Sequence, residues 1–251
     1  MKPRPAALSV LLLGLLLLPS GSSSQEPAAE EVAEADTVRF LPVGEQPPFR
    51  QEVRDGVRHE LEAPVGSIPP REITVASGTM KPNPLRLSLG RPSAAASVPR
   101  GEGAIRLLDE SGAPWTTVKR TGEGDLFVLL SRAPGAPTWK EPRALLIPSD
   151  TVHFPTGKLC LVNFSMVTVA VIFGTEKIAL PAGKTVLRDL PAGSETVFQL
   201  ANGNGKEGLK RFHAGTLQQA AGERTLAVIH AADGKAPRQA LRVLVHREPA
   251  L

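Results

Sequence analysis

Apolar residues alternate with polar ones in short stretches along most of the chain, and turn-forming residues separate these stretches. Residues 85–90 alternate leucine with Arg86, Ser88 and Gly90, which places the leucines on one face of a strand. Glycine (23 residues) and proline (24 residues) punctuate the sequence at a density that few helical proteins tolerate. The pattern therefore predicts an all-β protein.

The strand candidates fall into two sets. The first lies at 73–75, 85–89, 104–108, 115–119, 125–130 and 143–147, and the second at 158–163, 168–173, 177–180, 185–190, 196–200, 225–230 and 240–246. Short strands that turn residues bound at regular spacing are typical of a sandwich or barrel. Residues 49–61 alternate around Asp55-Gly56, a dipeptide of two-residue hairpin turns, and predict an extra hairpin or a surface arm.

The second set repeats the rhythm of the first. Residues 159–174 match 73–90, residues 226–230 match 126–130, and residues 241–244 match 144–147. We therefore expect two tandem β-sandwich units of immunoglobulin-like or Greek-key type, related by internal duplication. Because residues 168–173 are apolar on both faces of the predicted strand, we expect the two units to pack against each other.

The N-terminus has the features of a signal peptide. Lys2 and Arg4 precede the apolar run 6–18, small residues follow from 20 to 24, and cleavage is expected after Ser24. The run is shorter than the roughly 20 residues that a membrane helix needs. We assign residues 1–24 to the signal peptide, 25–37 to an acidic flexible linker, 38–150 to the first unit with an N-terminal hairpin or arm at 38–70, and 151–251 to the second unit.

Charge and cysteine content refine this organisation. The net charge is +4, although residues 25–36 contain five acidic residues and no basic one, as in a solvated linker. Cys160 is the single cysteine, so the chain contains no internal disulfide. Its apolar neighbours predict a buried thiol that acts as a small hydrophobic residue.

Several segments of the second unit resemble a known group of proteins. Residues 162–165 (Val-Asn-Phe-Ser), 169–171 (Val-Ala-Val), 190–193 (Leu-Pro-Ala-Gly) and 221–226 (Ala-Gly-Glu-Arg-Thr-Leu) resemble repeats in exported bacterial β-sandwich proteins of unassigned function. The resemblance implies a β-sandwich in the cell envelope, and it implies no catalytic residue.

Signatures of catalysis and of cofactor binding are incomplete. Residues 203–208 fit the letters of a dinucleotide fingerprint, but we expect a hairpin loop because no helix signal follows. The histidines have no metal-site spacing, and no serine lies in a Gly-x-Ser-x-Gly elbow. The sequence therefore predicts no catalytic residue, no metal site and no cofactor.

Two places are candidates for ligand contact. Trp139 lies in a predicted loop and is the better platform for stacking on a sugar, although a tryptophan there also suits a cap on the core. Lys210 and Arg211 form a small basic cluster beside Phe212 and His213. A nucleic-acid interface would need more basic residues along one face, so we predict no nucleic-acid partner.

The expected function is a structural or binding role in the bacterial cell envelope, periplasmic or extracellular, without catalysis. The expected partner is an envelope protein or polysaccharide, with no membrane span after signal cleavage. The first alternative is a hydrolase of envelope glycans that assembles carboxylates in space, for which Asp125, Asp150, Glu176 and Asp189 are available. The second alternative is a carbohydrate-binding module that uses Trp139.

Overall fold

Eighteen strands make up the regular secondary structure of the described residues, which contain no helix. The computed structural model describes residues 35–203, 208–233 and 237–249. The strands are β1 (Ala35–Pro42), β2 (Gln51–Arg54), β3 (Val57–Glu60), β4 (Glu72–Ser77), β5 (Asn83–Arg86), β6 (Ala96–Pro99), β7 (Gly103–Leu108), β8 (Pro114–Arg120), β9 (Leu126–Arg132), β10 (Pro142–Pro148), β11 (Lys158–Asn163), β12 (Val169–Phe173), β13 (Glu176–Leu180), β14 (Thr185–Asp189), β15 (Thr196–Asn202), β16 (Lys210–Leu217), β17 (Glu223–Ala231) and β18 (Leu241–Pro249). The predicted all-β class is confirmed. In these residues no helix has the length and hydrophobicity of a membrane span.

Four four-stranded sheets form two sandwiches with the same strand order. The first sandwich combines an outer sheet, β5-β4-β7-β8, with an inner sheet, β10-β9-β1-β6. The second combines an outer sheet, β13-β12-β15-β16, with an inner sheet, β14-β11-β17-β18. When β1 is replaced by β11, and β4–β10 by β12–β18, the first outer sheet becomes the second. The inner sheet does so too, when its strands are read from the opposite edge. Internal duplication would produce this agreement, and the duplication itself stays a prediction.

The inner sheets are mixed rather than antiparallel. β1 runs parallel to β9, and β11 runs parallel to β17, whereas the other strand pairs of both inner sheets are antiparallel. The first strand of each sandwich therefore lies inside its sheet. The immunoglobulin order differs, because its first strand lies at the edge of a sheet.

The predicted alignment of the two halves was out of register. Strand pairing and burial make Phe127 equivalent to Leu226, since both lie between the sandwiches and pair with corresponding strands. The prediction matched Leu226 instead with Leu126, which lies in the core of the first sandwich. A shift of one residue exchanges the two faces of a strand. Similarly, β12 corresponds to β4 and not to the predicted partner at 85–89.

Three apolar clusters hold the sheets in four layers. One cluster fills the first sandwich and another fills the second. A third cluster, here called the middle layer, joins the two inner sheets. Its buried members are Leu41, Val43, Phe127, Leu129, Ile147, Phe154, Cys160, Val162, Phe164, Leu226 and Val228.

Continuous apolar runs occur in the strands that have a core on each side. In β9, Leu126, Val128 and Leu130 face the first core, whereas Phe127 and Leu129 face the middle layer. β11 and β17 divide their residues in the same way between the second core and the middle layer. The prediction that the sandwiches pack together is confirmed. The strand chosen to support it was wrong, because β12 lies in an outer sheet.

The N-terminal boundary differs from the prediction. The predicted signal peptide and linker residues 25–34 lie outside the described residues, and residues 35–37 belong to β1 rather than to the linker. Asp36 and Arg120 form a buried ion pair. Burial raises the pKa of Asp36, but hydrogen bonds from Arg120 and from the Gly124 amide outweigh it and lower this pKa. The buried pair anchors the start of β1 in the first sandwich.

The predicted hairpin is present as a two-stranded sheet of its own. β2 and β3 pair antiparallel, and positive φ angles at Asp55 (51°) and Gly56 (77°) form the turn between them. Val53 and Val57 are 63% and 57% exposed. The hairpin belongs to a segment, residues 44–71, that follows β1 and precedes β4, and we call this segment the arm.

Candidate functional site

A row of alanines crosses the exposed face of the second outer sheet. Ala170 on β12 pairs with Ala179 on β13 and with Ala201 on β15, and Ala201 pairs with Arg211 on β16. Directly paired residues of neighbouring strands project from the same face of a sheet. The three methyl groups therefore form the floor of a shallow trough that runs across the strands and ends at Arg211.

The trough is part of a groove of about 480 Å³, here called the outer groove. A second row, formed by Lys177, Ile172 and Gln199, borders the alanines. Leu209, which is 70% exposed, lines the groove as well. The floor is thus apolar, and its two cations, Lys177 and Arg211, lie at diagonally opposite corners.

The matching face of the first sandwich has a different chemistry. Its outer sheet exposes the Glu72–Arg86 ion pair, together with Arg106 and Lys119. Both faces belong to sheets of the same strand order. The apolar floor of the outer groove therefore does not follow from the topology, because that topology carries a charged surface in the first sandwich.

The basic cluster predicted at 210–213 is divided by β16. Arg211 lines the outer groove, while Phe212 packs against the second core and His213 lies with its ring 5.3 Å from that of Phe198. Lys210 is exposed and pairs with Asn202, one position beyond the groove. By strand alternation its side chain leaves the sheet on the face opposite that of Arg211. Only Arg211 of the predicted contact residues lies in the groove.

Trp139 does not offer a platform for a sugar. Its side chain is 2% exposed and lies in the first core cluster. Its backbone carbonyl accepts a hydrogen bond from Trp115 Nε1 at 2.6 Å, and its amide donates to the Gly66 carbonyl. A cavity of about 830 Å³ beside the arm includes both tryptophans in its wall. Because the Trp139 ring is buried, it caps the core, which is the other role that the sequence suggested for it, and it offers no surface for stacking on a sugar.

The carboxylates considered for a hydrolase occupy separate places. Asp125 accepts a hydrogen bond from the Thr37 amide at 2.7 Å, and Asp150 contacts His153. Glu176 pairs with Arg188 at 2.7 Å, and Asp189 pairs with Lys158 at 2.6 Å. Each of the four therefore has its own local partner in the structure.

Carboxylates do meet at one end of the middle layer, where they join the sandwiches. Glu45 and Asp233 each accept a hydrogen bond from the other's backbone amide, at 2.9 and 2.8 Å respectively. Arg132 pairs with Asp233 at 2.6 Å, and Arg242 pairs with Glu45 at 2.8 Å. Both ion pairs connect one sandwich with the other. This arrangement fits a structural role, because each carboxylate already has a cationic partner.

A second ionic cluster, here called the clamp, connects the two sandwiches through β1, β17 and β18. Glu248 on β18 accepts two hydrogen bonds from Arg39 on β1, at 2.6 and 2.9 Å, and it contacts Arg224 at 2.7 Å. Arg224 is 2% exposed and also donates to the carbonyls of Ser149 and Phe154. The clamp thus unites both sandwiches and the segment that connects them.

The surroundings of Glu248 and Cys160 shift their protonation. Burial raises the pKa of Glu248, but hydrogen bonds from His246, Arg39 and Arg224 outweigh it and lower this pKa to about 2. Burial raises the pKa of Cys160 to about 12, against a smaller opposing effect of Arg224. The carboxylate is therefore firmly ionised, and the thiol is protonated and buried as predicted.

Metal binding is not indicated by the described part of the chain, in which no three His, Cys, Asp or Glu side chains converge on one point. His230 is buried, and its Nδ1 lies 2.9 Å from the Ala231 carbonyl. Burial lowers the pKa of His230, and the nearby Asp233 and Glu45 charges oppose this effect. The neutral ring suits a place inside the fold.

Sequence reasoning missed most of the outer groove. Lys177 and the alanine row were not among the predicted contact residues, because the row is assembled from three strands. One signal was present: Ala170, Ala179 and Ala201 each occupy a position that alternates with buried residues, where an exposed strand more often carries a polar side chain. Reading those alternations together would have indicated an apolar outer face.

Comparison with solved structures gives a distant structural likeness. No family model and no curated protein matches the chain. Among solved structures, the Bacillus anthracis TIE protein is similar with a TM-score of 0.22 and 10% sequence identity, over 86% of this chain and 43% of that one. The chain spans less than half the length of that structure. The likeness is to a bacterial protein, and the exported repeat family suggested by the sequence is not confirmed.

Proposed function

We propose that this is an exported, non-catalytic binding protein of the bacterial cell envelope, and that the outer groove is its contact surface. The leader-like N-terminus supports export. The apolar floor of the groove supports binding, since concave apolar surfaces with a few polar groups at their edge are a common form of binding site. The partner is a protein or polysaccharide of the envelope.

One observation carries the proposal: two sheets of the same topology present different outer faces. The first carries Glu72, Arg86, Arg106 and Lys119, as a solvated sheet does. The second carries Ile172 and three alanines between two cations. These alanines and the isoleucine are half-buried apart from the exposed Ala179, and apolar side chains gain nothing from contact with water, so a partner that covers this face accounts for them.

The rigid join between the sandwiches suits a binding role. The middle layer and the clamp hold the second sandwich on the first. A surface on rigid elements keeps its shape before the partner arrives, which reduces the entropy lost on binding. The first sandwich then serves as a scaffold that presents the outer groove.

Site-specific photo-crosslinking in cells tests the proposal. A photoreactive residue replaces Val197, which is 42% exposed on β15 beside the groove, in the full chain with its leader. The matched control replaces Thr117, an exposed residue of β8 in the first outer sheet. We expect the processed protein in the envelope fraction, with an adduct of defined mass from position 197 and none from 117.

Two results would reject the proposed function. Retention of the unprocessed chain in the cytoplasmic fraction would reject export. Equal adducts from both positions, or none from either, would reject the outer groove as the contact surface.

A further inference from the structure

We propose that the outer groove binds an extended acidic segment of a partner protein, in which two carboxylates flank small or apolar side chains. This inference rests on the proposed function and adds the chemistry of the partner. The alanine floor would receive the apolar side chains, and Lys177 and Arg211 would each pair with a carboxylate.

Among the described residues, the charged side chains that line the groove are both positive. Lys177 and Arg211 have no ion-pair partner in residues 35–203, 208–233 and 237–249. Glu176, which precedes Lys177 in sequence, is paired with Arg188 at 2.7 Å. A second copy facing this groove would bring its own Lys177 and Arg211 against these cations, so like charges oppose self-association. An acidic partner would supply a counter-charge to both Lys177 and Arg211.

The spacing of the two cations sets the spacing of the carboxylates. Arg211 is in the alanine row, three strand gaps from β13, and Lys177 is two residues along β13 from Ala179 of that row. With about 4.8 Å between strands and about 3.3 Å per residue, their Cα atoms lie about 16 Å apart. An extended peptide covers this distance in about four or five residues. The carboxylates are therefore expected four or five positions apart.

The apolar floor between the cations favours a polypeptide over a dense polyanion. Nucleic acids and polyphosphates carry a charge at each repeat, and several of these charges would lie over Ala170, Ala201 and Ile172 without a counterion. Desolvating such unpaired charges is costly. A peptide can instead place valine or alanine there, and bury its apolar surface against the sheet.

Selection from a random peptide library identifies the preferred chemistry without a known partner. A phage-displayed library of ten-residue peptides is selected on the full-length processed protein and, in parallel, on the variant K177E/R211E. We expect peptides with two acidic residues four or five positions apart, separated by small or apolar residues, to be enriched on the wild type. On the charge-reversed variant, peptides with basic residues at those positions should replace them.

A selected peptide is then measured by fluorescence anisotropy. We expect binding to weaken about tenfold in K177E/R211E, because two attractions become repulsions. Ala201→Leu, which fills the floor without changing charge, should weaken binding by a similar factor. The matched control K119E, on the first outer sheet, should change binding less than about twofold. Thermal unfolding of each variant shows whether it remains folded.

The possible outcomes separate the two proposals. Enrichment that shows no acidic preference, or that is the same on wild type and K177E/R211E, overturns the acidic-segment proposal. So does the absence of any enriched peptide. Binding of vesicles containing anionic lipid, lost in K177E/R211E while no peptide binds, overturns it in favour of a lipid surface. If crosslinking at position 197 succeeds in any of these cases, the proposed function stands and only the partner chemistry fails.

Discussion

At the scale of single residues, buried polar groups of this protein have several hydrogen-bond partners each. Asn163 is fully buried; its amide donates to the carbonyls of Val167 and Leu180, both at 2.8 Å, and its oxygen accepts from the amide and hydroxyl of Ser165. Glu248 is similarly surrounded by donors. Since a buried polar group without a partner is costly, these residues fix local geometry as well as stability.

Glu248→Gln should destabilise the protein in a way that depends on pH. The folded-state pKa of about 2 lies below the ordinary value of 4.5, so the carboxylate stabilises the fold above pH 4.5 and loses this effect as the pH falls towards 2. We expect the variant to be less stable by about 3 kcal/mol at pH 7, a difference that shrinks between these two pH values. Urea denaturation at several pH values measures it.

The control for Glu248→Gln is Glu72→Gln, which removes the exposed pair with Arg86. Exposed pairs contribute about 1 kcal/mol or less, so this variant should follow the wild type closely at every pH. A constant difference between wild type and Glu248→Gln from pH 7 to pH 2 would show that the clamp does not hold Glu248 ionised.

Asn163→Ala should cost about 3 kcal/mol of unfolding free energy, because it removes the hydrogen bonds that a buried amide donates to the Val167 and Leu180 carbonyls and accepts from Ser165. Equilibrium urea denaturation at neutral pH gives this value. Asn202→Ala, at the half-buried end of β15, is the comparison and should change stability by about 0.5 kcal/mol. Similar losses in the two variants would contradict the role of Asn163.

At the scale of elements, the sequence predicted strands with local alternation and missed those that depend on distant contacts. β1 was interpreted partly as linker because Asp36 ends an acidic stretch of sequence, and the partner that allows its burial, Arg120, lies far along the chain. β6 is only four residues long, and β16 contains Gly215 within a basic sequence. Their strand character comes from pairing rather than from propensity.

The same limit explains the outcome for the candidate site. Arg211 was predicted from a local cluster of basic residues, and it does line the groove. Trp139 was predicted from its residue type, whereas its burial follows from packing against the first core. The alanine row needs the register of β12, β13 and β15, which a sequence does not display. The chemistry of a local cluster could be predicted from the sequence, whereas the assembly of residues from several strands could not.

The hairpin of β2 and β3 should be dispensable for the fold. It forms no sheet with either sandwich, and Arg50 and Leu61 are joined at its base by a hydrogen bond of 2.9 Å. Replacing residues 51–60 by Asn-Gly closes this base with a two-residue turn. We expect Tm to change by less than about 3 °C, as measured by circular dichroism.

A substitution in the core shows how large a loss of stability would be if the hairpin were part of the fold. Leu161→Ala removes a side chain that is 1% exposed in β11 and should cost about 3 kcal/mol. A loss of stability on excision of the hairpin as large as that of Leu161→Ala would show that the hairpin is an integral part of the fold.

At the scale of the whole molecule, the middle layer decides whether two sandwiches unfold as one. Burial on both faces of β9, β11 and β17 means that neither inner sheet would be covered without the other. The ion pairs Arg39–Glu248 and Arg132–Asp233 fasten the same layer. Each sandwich therefore depends on its neighbour for part of its stability.

Cooperative unfolding follows from this dependence. Differential scanning calorimetry of the wild type should show one transition, with equal calorimetric and van't Hoff enthalpies. Leu129→Glu introduces an unpaired charge into the middle layer while leaving both sandwich cores intact, so it should separate the trace into two transitions at lower temperatures. Thr117→Glu, on the first outer face, is the control and should keep one transition. Two resolved transitions in the wild type would mean that the sandwiches are independent, and the groove would then lack the rigid support on which its preorganisation depends.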